Sequence, residues 1–180
     1  MRVITGSARG RKLKEPAGMD IRPTTDMVKE TVFNIIQFDI EGRRVLDLFA
    51  GTGQIGIEAL SRGAGHVTFV DSSNEALKIV RENLKITGFA DRATVICGNA
   101  LGFLKSCEKF DIIYIDPPYQ ENLYEPVLSS IKLFDILKDN GIIICESTYG
   151  TPMPELFEPY KKEKERRYGK IGITIYRKEL

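Results

Sequence analysis

The run Asp116-Pro117-Pro118-Tyr119 directly follows the apolar stretch Phe110-Asp111-Ile112-Ile113-Tyr114-Ile115. Two consecutive prolines neither continue a strand nor start a regular helix, so they fix a rigid turn where a strand ends. Such a turn sets one carboxylate, one proline carbonyl free of ladder pairing and one aromatic ring at the mouth of a sheet. A planar base with an exocyclic amino group needs two acceptors and a stacking face. Asp116 and the Pro117 carbonyl supply the acceptors, Pro118 stiffens the turn, and Tyr119 stacks on a base splayed out of its strand. Adenine N6, guanine N2 and a protein glutamine all fit this turn, and it does not choose among them.

A second constellation concerns a cofactor. Gly51-Thr52-Gly53-Gln54-Ile55-Gly56 has the form G-x-G-x-x-G after a strand and opening a helix, and Asp71 lies 20 residues past its first glycine. Taken literally this is the dinucleotide fingerprint. Asp47, however, sits four residues before Gly51, beside the glycine turn. A carboxylate there repels an anionic pyrophosphate and attracts the ammonium and sulfonium of S-adenosylmethionine. The segment Asp47-Leu48-Phe49-Ala50-Gly51-Thr52-Gly53 therefore favours a methyl donor over NAD. An oxidoreductase stays open only if Asp47 points away from the cofactor. Asp71 suits a ribose diol in either case, with Ser72 beside it. Asn99 and Ala100, after the third strand, stand where an adenine ring lies. Asn99 either pairs with the adenine edge, caps the helix that follows, or does both.

These groups need a scaffold. From residue 44 onward, short apolar runs (44–49, 66–71, 93–97, 110–115 and 141–146) alternate with segments of helical spacing (55–62, 74–87, 100–106 and 123–137). Strand–helix alternation with near-continuous apolar strands predicts an α/β domain, its parallel sheet covered on both faces. Residues 167–176 read as a turn feeding a strand, an antiparallel edge. Residues 1–43 differ: two short strand-like pieces flank Gly6-Ser7-Ala8-Arg9-Gly10 as a basic hairpin. Thr24 or Thr25 then caps a helix to about Gln37, with Val28, Val32, Ile35 and Ile36 on its apolar face. This extension is too short for its own core and must pack on residues 44–180, so the whole chain, 1–180, reads as one domain.

The chain has 180 residues, 42% hydrophobic, with a net charge of +1. That near-neutral value hides an asymmetry. Residues 1–22 carry six basic and two acidic side chains, and residues 161–180 carry eight and three, while the body between them is acidic. Basic ends on an acidic body suggest a polyanion held by the termini. Arg9, Arg11, Lys12 and Arg22 are the candidate phosphate contacts. Lys161, Lys162, Arg166, Arg167 and Lys170 form a second basic set, either a further contact or a solvated face. Three scattered cysteines and one histidine argue against a disulfide scaffold or a zinc site, and no metal is expected. The polar, basic N-terminus is unlike a signal peptide, and no apolar run spans a bilayer, so a cytoplasmic protein without a membrane partner is expected.

With these motifs in order, the chain resembles a class I methyltransferase. More narrowly, it resembles the RsmD family of 16S ribosomal RNA guanine-N2 methyltransferases. The resemblance covers essentially the whole chain. It rests on Gly10-Arg11-Lys12-Leu13, the segment from Arg22-Pro23-Thr24-Thr25 to Phe33-Asn34, Ile57-Glu58-Ala59-Leu60-Ser61-Arg62-Gly63-Ala64, and Asp116-Pro117-Pro118-Tyr119. It implies a Rossmann-like, seven-stranded, mostly parallel sheet, S-adenosylmethionine as donor and one guanine of 16S rRNA as acceptor. The rRNA is expected within a small ribosomal subunit or an assembly intermediate, and the enzyme as a monomer. Members of that family usually carry Asp where this chain has Asn99, so altered adenine affinity is expected rather than lost function. A DNA adenine methyltransferase needs a target-recognition region, and the intervals after Gly53 and after Tyr119 leave no room for one. A glutamine methyltransferase of release factors usually carries a larger helical N-terminal domain. A non-catalytic RNA-binding protein on this fold is disfavoured by the intact Asp47, Gly51, Gly53 and Asp116. Glu58, charged on the helix after the glycine turn, either pairs with a basic residue of the extension or faces solvent.

Overall fold

A computed structural model describes residues 1–18, 26–156 and 158–180. Arg22, Thr24 and Thr25 fall outside the described residues. Among the described residues seven strands form one sheet: β1 (Arg44–Leu48), β2 (His66–Asp71), β3 (Ala93–Cys97), β4 (Phe110–Ile115), β5 (Leu137–Thr148), β6 (Tyr160–Tyr168) and β7 (Ile171–Lys178). Their order is β3-β2-β1-β4-β5-β7-β6. The first five strands run parallel, and β7 joins β5 antiparallel with β6 outside it. The expected seven-stranded, mostly parallel α/β architecture is present.

Among the described residues five α-helices cover the sheet: α1 (Asp26–Ile35), α2 (Gln54–Ser61), α3 (Asn74–Thr87), α4 (Ala100–Leu104) and α5 (Tyr124–Leu133). Strand side chains alternate between faces. Val45, Phe69, Ile112 and Ile144 pack under α1, α2 and α3, whereas Leu46, Val70, Ile113 and Cys145 pack under α4 and α5. The result is a three-layer sandwich in which β1, β2 and β4 are buried on both sides, while β3, at the sheet edge, is only partly covered. Ser73 caps α3 by accepting from the Ala76 N–H, and Gly88 closes it in the left-handed conformation. The basic hairpin of the extension is a single antiparallel bridge, Arg2 to Lys12, reinforced by backbone bonds such as Val3 N–H to the Arg11 carbonyl at 3.0 Å. Among the described residues no helix is long and apolar enough to cross a membrane.

Three expectations are corrected. The helix expected over 123–137 stops at Leu133, because Leu137 already pairs with Phe110 as the start of β5. The strand expected over 167–176 is not an edge: β7 lies between β5 and β6, and the highly charged β6 forms the edge. The helix expected to reach Gln37 ends at Ile35 and runs into a turn.

Candidate active site

The parallel strands set the site. Leu48, the last residue of β1, lies opposite Val70 on one side and Ile115 on the other. The chain leaves β1 toward β2 and β3 on one side, and β4 and β5 lie on the other. The carboxyl ends of β1 and β4 therefore flank a topological switch point, where open α/β sheets leave a crevice. The glycine turn emerges into it. Phe49, Gly51 and Gly53 all hold positive φ, at 66°, 55° and 77°. That backbone coils tightly enough for the Gly53 N–H to reach the Ala50 carbonyl at 2.8 Å. Gly56 matters for packing instead. A Cβ there would sit 2.2 Å from the Phe69 ring, so only glycine lets α2 approach β2 this closely.

Three carboxylates surround the turn. Asp71 uses one oxygen for the Gly51 N–H at 2.9 Å and the other for the Ser73 N–H at 2.8 Å. Each oxygen retains a second lone pair for an incoming hydroxyl. Asp47 is buried, 2% exposed, and accepts from the Gly56 N–H at 3.0 Å. Burial pushes its carboxyl up to about 7, opposed by the Gly56 bond and reinforced by the charge of Asp71. An N–H at the start of α2 that a pyrophosphate would use is thus already occupied by a carboxylate. A ligand with positive charge at this turn holds Asp47 ionised. The third carboxylate, Asp116, follows β4, half-buried, with Pro117 buried and Pro118 and Tyr119 exposed. The Glu121 N–H closes that turn on the Pro118 carbonyl at 3.1 Å.

Between the β1, β2 and β3 ends and the proline turn lies a cavity of about 130 Å³, lined by Phe49, Asp71, Ser72, Asn99, Ala100 and Pro118 among others. Its chemistry fits an adenosyl group: apolar walls from Phe49, Ala100 and Leu101, a carboxylate for a ribose diol, and Asn99 at the rim. Asn99 caps α4, its Oδ1 accepting from the Gly102 N–H at 3.0 Å, which leaves its amide N–H groups for a ring nitrogen. Thr52 and Ala50 are buried in the turn itself. Every residue expected to hold the donor thus lies at one end of the sheet.

Sequence reasoning missed the support behind Asp116. The Tyr114 hydroxyl donates to the buried Glu146 carboxylate, and the Tyr124 hydroxyl donates to the Glu146 carbonyl at 2.6 Å. Burial raises both phenols, with Glu146 and then Asp116 adding to the shift at Tyr114 and Asp116 leading the charges at Tyr124. Both tyrosines stay protonated donors and brace the ends of β4 and β5. A glutamate ending the apolar run Ile142-Ile143-Ile144-Cys145 was the available signal.

The extension is bound by buried polar groups. Glu58, with no exposed surface, accepts from the Ile4 and Thr5 N–H groups at 2.9 and 3.0 Å and pairs with Arg62 at 2.9 Å. Of the two expected roles for Glu58, facing solvent does not hold: it binds the backbone of the extension, and its charge also acts on the buried Lys29 of that extension. Lys29 is equally buried and donates to the Arg2 carbonyl at 2.8 Å. Asn83 accepts from the Lys14 N–H at 2.6 Å and donates to the Lys14 and Thr52 carbonyls. The hairpin tip touches Ser61 at the end of α2, and Arg11 donates to the Ile86 carbonyl at the end of α3. Both contacts lie at the edge of the sheet opposite Asp116. Arg9, Arg11 and Lys12 are exposed, but the tip that carries Arg9 and Arg11 is not brought to the carboxylate turn.

Comparison with known proteins is consistent with this geometry. A family model described as "Conserved hypothetical protein 95" matches residues 1–177. The chain is 41% identical over 182 residues to "Putative rRNA methyltransferase YlbH" of Bacillus subtilis, covering 99% of each chain. It is 33% identical over 180 residues to "Ribosomal RNA small subunit methyltransferase D" of Escherichia coli, covering 99% of this chain and 90% of that one. The solved structure titled "Putative methyltransferase yhhF from Escherichia coli" superposes with a TM-score of 0.90 at 31% identity, covering 100% of this chain and 98% of the other.

Proposed function

Because the chain belongs to the ribosomal RNA small subunit methyltransferase D (RsmD) family of methyltransferases, we propose that it methylates the exocyclic N2 amino group of a guanine in small-subunit rRNA. The observation that carries this reading is the Asp116-Pro117-Pro118-Tyr119 turn at the end of β4, adjoining both the glycine turn and the cavity lined by Phe49, Asp71, Asn99 and Pro118. S-adenosylmethionine, when bound, supplies an electrophilic methyl group. Asp47, Phe49, Ala50, Gly51, Thr52, Gly53, Asp71, Ser72, Asn99 and Ala100 hold it, with Asp116 at the reactive end.

The chain's own residues do the rest. Guanine N2 is a poor nucleophile because its lone pair is delocalised into the ring. Asp116 and the Pro117 carbonyl accept from its two N–H groups, favour a pyramidal nitrogen and stabilise the positive charge that develops there. Tyr119 stacks on the flipped base and fixes its plane. Acceleration comes from orientation and from charge fixed in advance. The bracing of β4 and β5 by Tyr114, Tyr124 and Glu146 limits the freedom of the turn. The substrate is rRNA in a small subunit or an assembly intermediate, met in the cytoplasm by a monomer.

The test is methyl transfer from labelled S-adenosylmethionine to small subunits lacking modification, to naked 16S rRNA and to duplex DNA, followed by nucleoside analysis. Label in N2-methylguanosine is the expected result. Label in N6-methyladenosine overturns the acceptor, and no label in any nucleic acid overturns the reading.

A further inference from the structure

The second basic set is divided by the sheet. β6 runs antiparallel to β7, which runs antiparallel to β5, so the two ends of β6 lie at opposite edges. Lys161 and Lys162 lie at the edge away from Asp116 and pair with Glu179 and Glu155. Arg166, Arg167 and Lys170 lie at the catalytic edge. Register fixes how far they project. Ile115 is opposite Cys145, and three residues further along β5, Thr148 is opposite Ile171, itself opposite Tyr168. The β6–β7 turn therefore stands about 10 Å beyond the end of β4 and about 10–15 Å to its side, from strand rise and spacing.

Beside that turn is Tyr149, 49% exposed, its N–H bonded to the Lys170 carbonyl at 2.8 Å. The Arg167 guanidinium lies 4.5 Å from the Tyr149 ring centre and donates to the Gly169 carbonyl at 3.0 Å, so ring and cation are held together. Among the described residues Arg166, Arg167 and Lys170 form no salt bridge, and Glu165 nearby pairs with none of them. The catalytic turn offers a matching feature: Tyr119 is 48% exposed. Two exposed tyrosines, Tyr149 backed by an arginine, and three cations that pair with no carboxylate among the described residues thus share one end of the sheet. Arg167 lies on the Tyr149 side and Arg166, its neighbour in an unbroken ladder, on the other face. Single-stranded nucleic acid is bound by that combination of stacking faces and positive charge.

Resting on the rRNA reading above, we propose that Tyr149, Arg166, Arg167 and Lys170 form a docking surface for the unpaired RNA strand that continues from the target guanine. Tyr149 stacks one flanking base, and the three cations neutralise the phosphates around it. The far-edge hairpin tip with Arg9 and Arg11 does not reach this strand.

The experiment measures binding of unmodified 16S rRNA transcript, with S-adenosylhomocysteine present, between 50 and 200 mM salt. The variants are Arg166→Ala/Arg167→Ala/Lys170→Ala, Tyr149→Ala, Tyr149→Phe and, as a control, Lys161→Ala/Lys162→Ala. The triple variant should bind at least about tenfold more weakly at 100 mM salt. Its slope of log affinity against log salt should be shallower by about 2, from roughly 0.7 per phosphate contact on a single strand. Tyr149→Ala should lose about tenfold and Tyr149→Phe should bind as the parent, since stacking needs the ring and not the hydroxyl. The control pair should leave affinity intact, and melting temperature and S-adenosylhomocysteine affinity should be unchanged in all four. Undiminished affinity and slope in the triple variant overturn the proposal, as does an equal loss in the control pair. Methyl transfer by the parent protein separates the two readings. Patch-dependent RNA binding without N2-methylguanosine sinks the chemistry and keeps the surface, and N2-methylguanosine with patch-independent binding does the reverse.

Discussion

Replacing Asp47 with Asn should stabilise the cofactor-free protein while weakening its hold on the methyl donor. The carboxyl is 2% exposed and its ionisation lies near 7 rather than at the ordinary 3.8. That is about 3 pH units, or about 4 kcal/mol of free energy at 1.36 kcal/mol per unit. The unfolded chain releases this proton near pH 4, whereas the folded chain keeps it until about 7. Between those values the folded state binds more protons, so stability falls as pH rises and stays about 4 kcal/mol lower above 7. Asn cannot ionise, and its side-chain oxygen still accepts from Gly56. Asp47→Asn should therefore match the parent near pH 4 and gain about 4 kcal/mol at pH 8, about 10 °C of melting temperature for a chain this size. The assay is a pair of melting curves across pH 4–9 without cofactor. A donor carrying ammonium and sulfonium groups selects the ionised form, so parent affinity for S-adenosylmethionine should rise about fivefold from pH 6 to about 7.5 and fall again above about 8, where the donor's own ammonium deprotonates. Asp47→Asn should bind weakly at every pH. Parallel melting curves at all pH values would refute the burial argument, and a pH-independent parent affinity would remove Asp47 from donor binding.

Asp116→Ala should lower turnover by at least about 100-fold with S-adenosylhomocysteine affinity little changed, measured by single-turnover methyl transfer and calorimetry; full activity removes Asp116 from the chemistry. Glu58→Ala should cost about 3–5 kcal/mol in urea unfolding, because it strands the Ile4 and Thr5 N–H groups and leaves Arg62 and Lys29 without their buried counter-charge. The same variant should expose residues 1–18 to limited proteolysis. Gly6→Ala should cost about 2–3 kcal/mol, since its Cβ would lie 1.8 Å from the Ser61 carbonyl oxygen. Gly10→Ala, with open space around it, should cost only about 1–2 kcal/mol for its left-handed backbone, so equal losses at the two glycines would contradict the contact.

How legible each part was in the sequence follows from the range of the forces that place it. β1, β2 and β4 were legible because strands buried on both faces must be almost wholly apolar, β3 because Ala93-Thr94-Val95-Ile96-Cys97 is itself rich in β-branched and apolar residues, and the glycine and proline turns act within a few residues. The site at their carboxyl ends was legible for the same reason: Asp47, Asp71, Asn99 and Asp116 each end a strand or begin the turn after it, so recognising the strand places the residue. β6 escaped because Tyr160–Tyr168 reads as Lys-Lys-Glu-Lys-Glu-Arg-Arg between two tyrosines, without any apolar alternation. Its order comes from pairing with β7, and its charge is what an exposed sheet edge requires to resist pairing with another chain. Glu58, Asn83 and Lys29 escaped for a related reason. A charged or amide residue on a helix reads as solvent-facing until its partner is known, and for Glu58 and Asn83 the partners in the extension lie 53 to 69 residues away. The family-specific segment shows where that misleads. Its described part, Asp26 to Asn34, buries Lys29 and sets Phe33 under the Arg62 guanidinium at 4.9 Å. Those residues anchor the extension to α2. Basic residues therefore divide by what else they touch. Lys29 and Arg62 serve packing, Lys161 and Lys162 are matched by carboxylates, and Arg166, Arg167 and Lys170 pair with no carboxylate among the described residues and stand at the edge where the carboxylate turn opens.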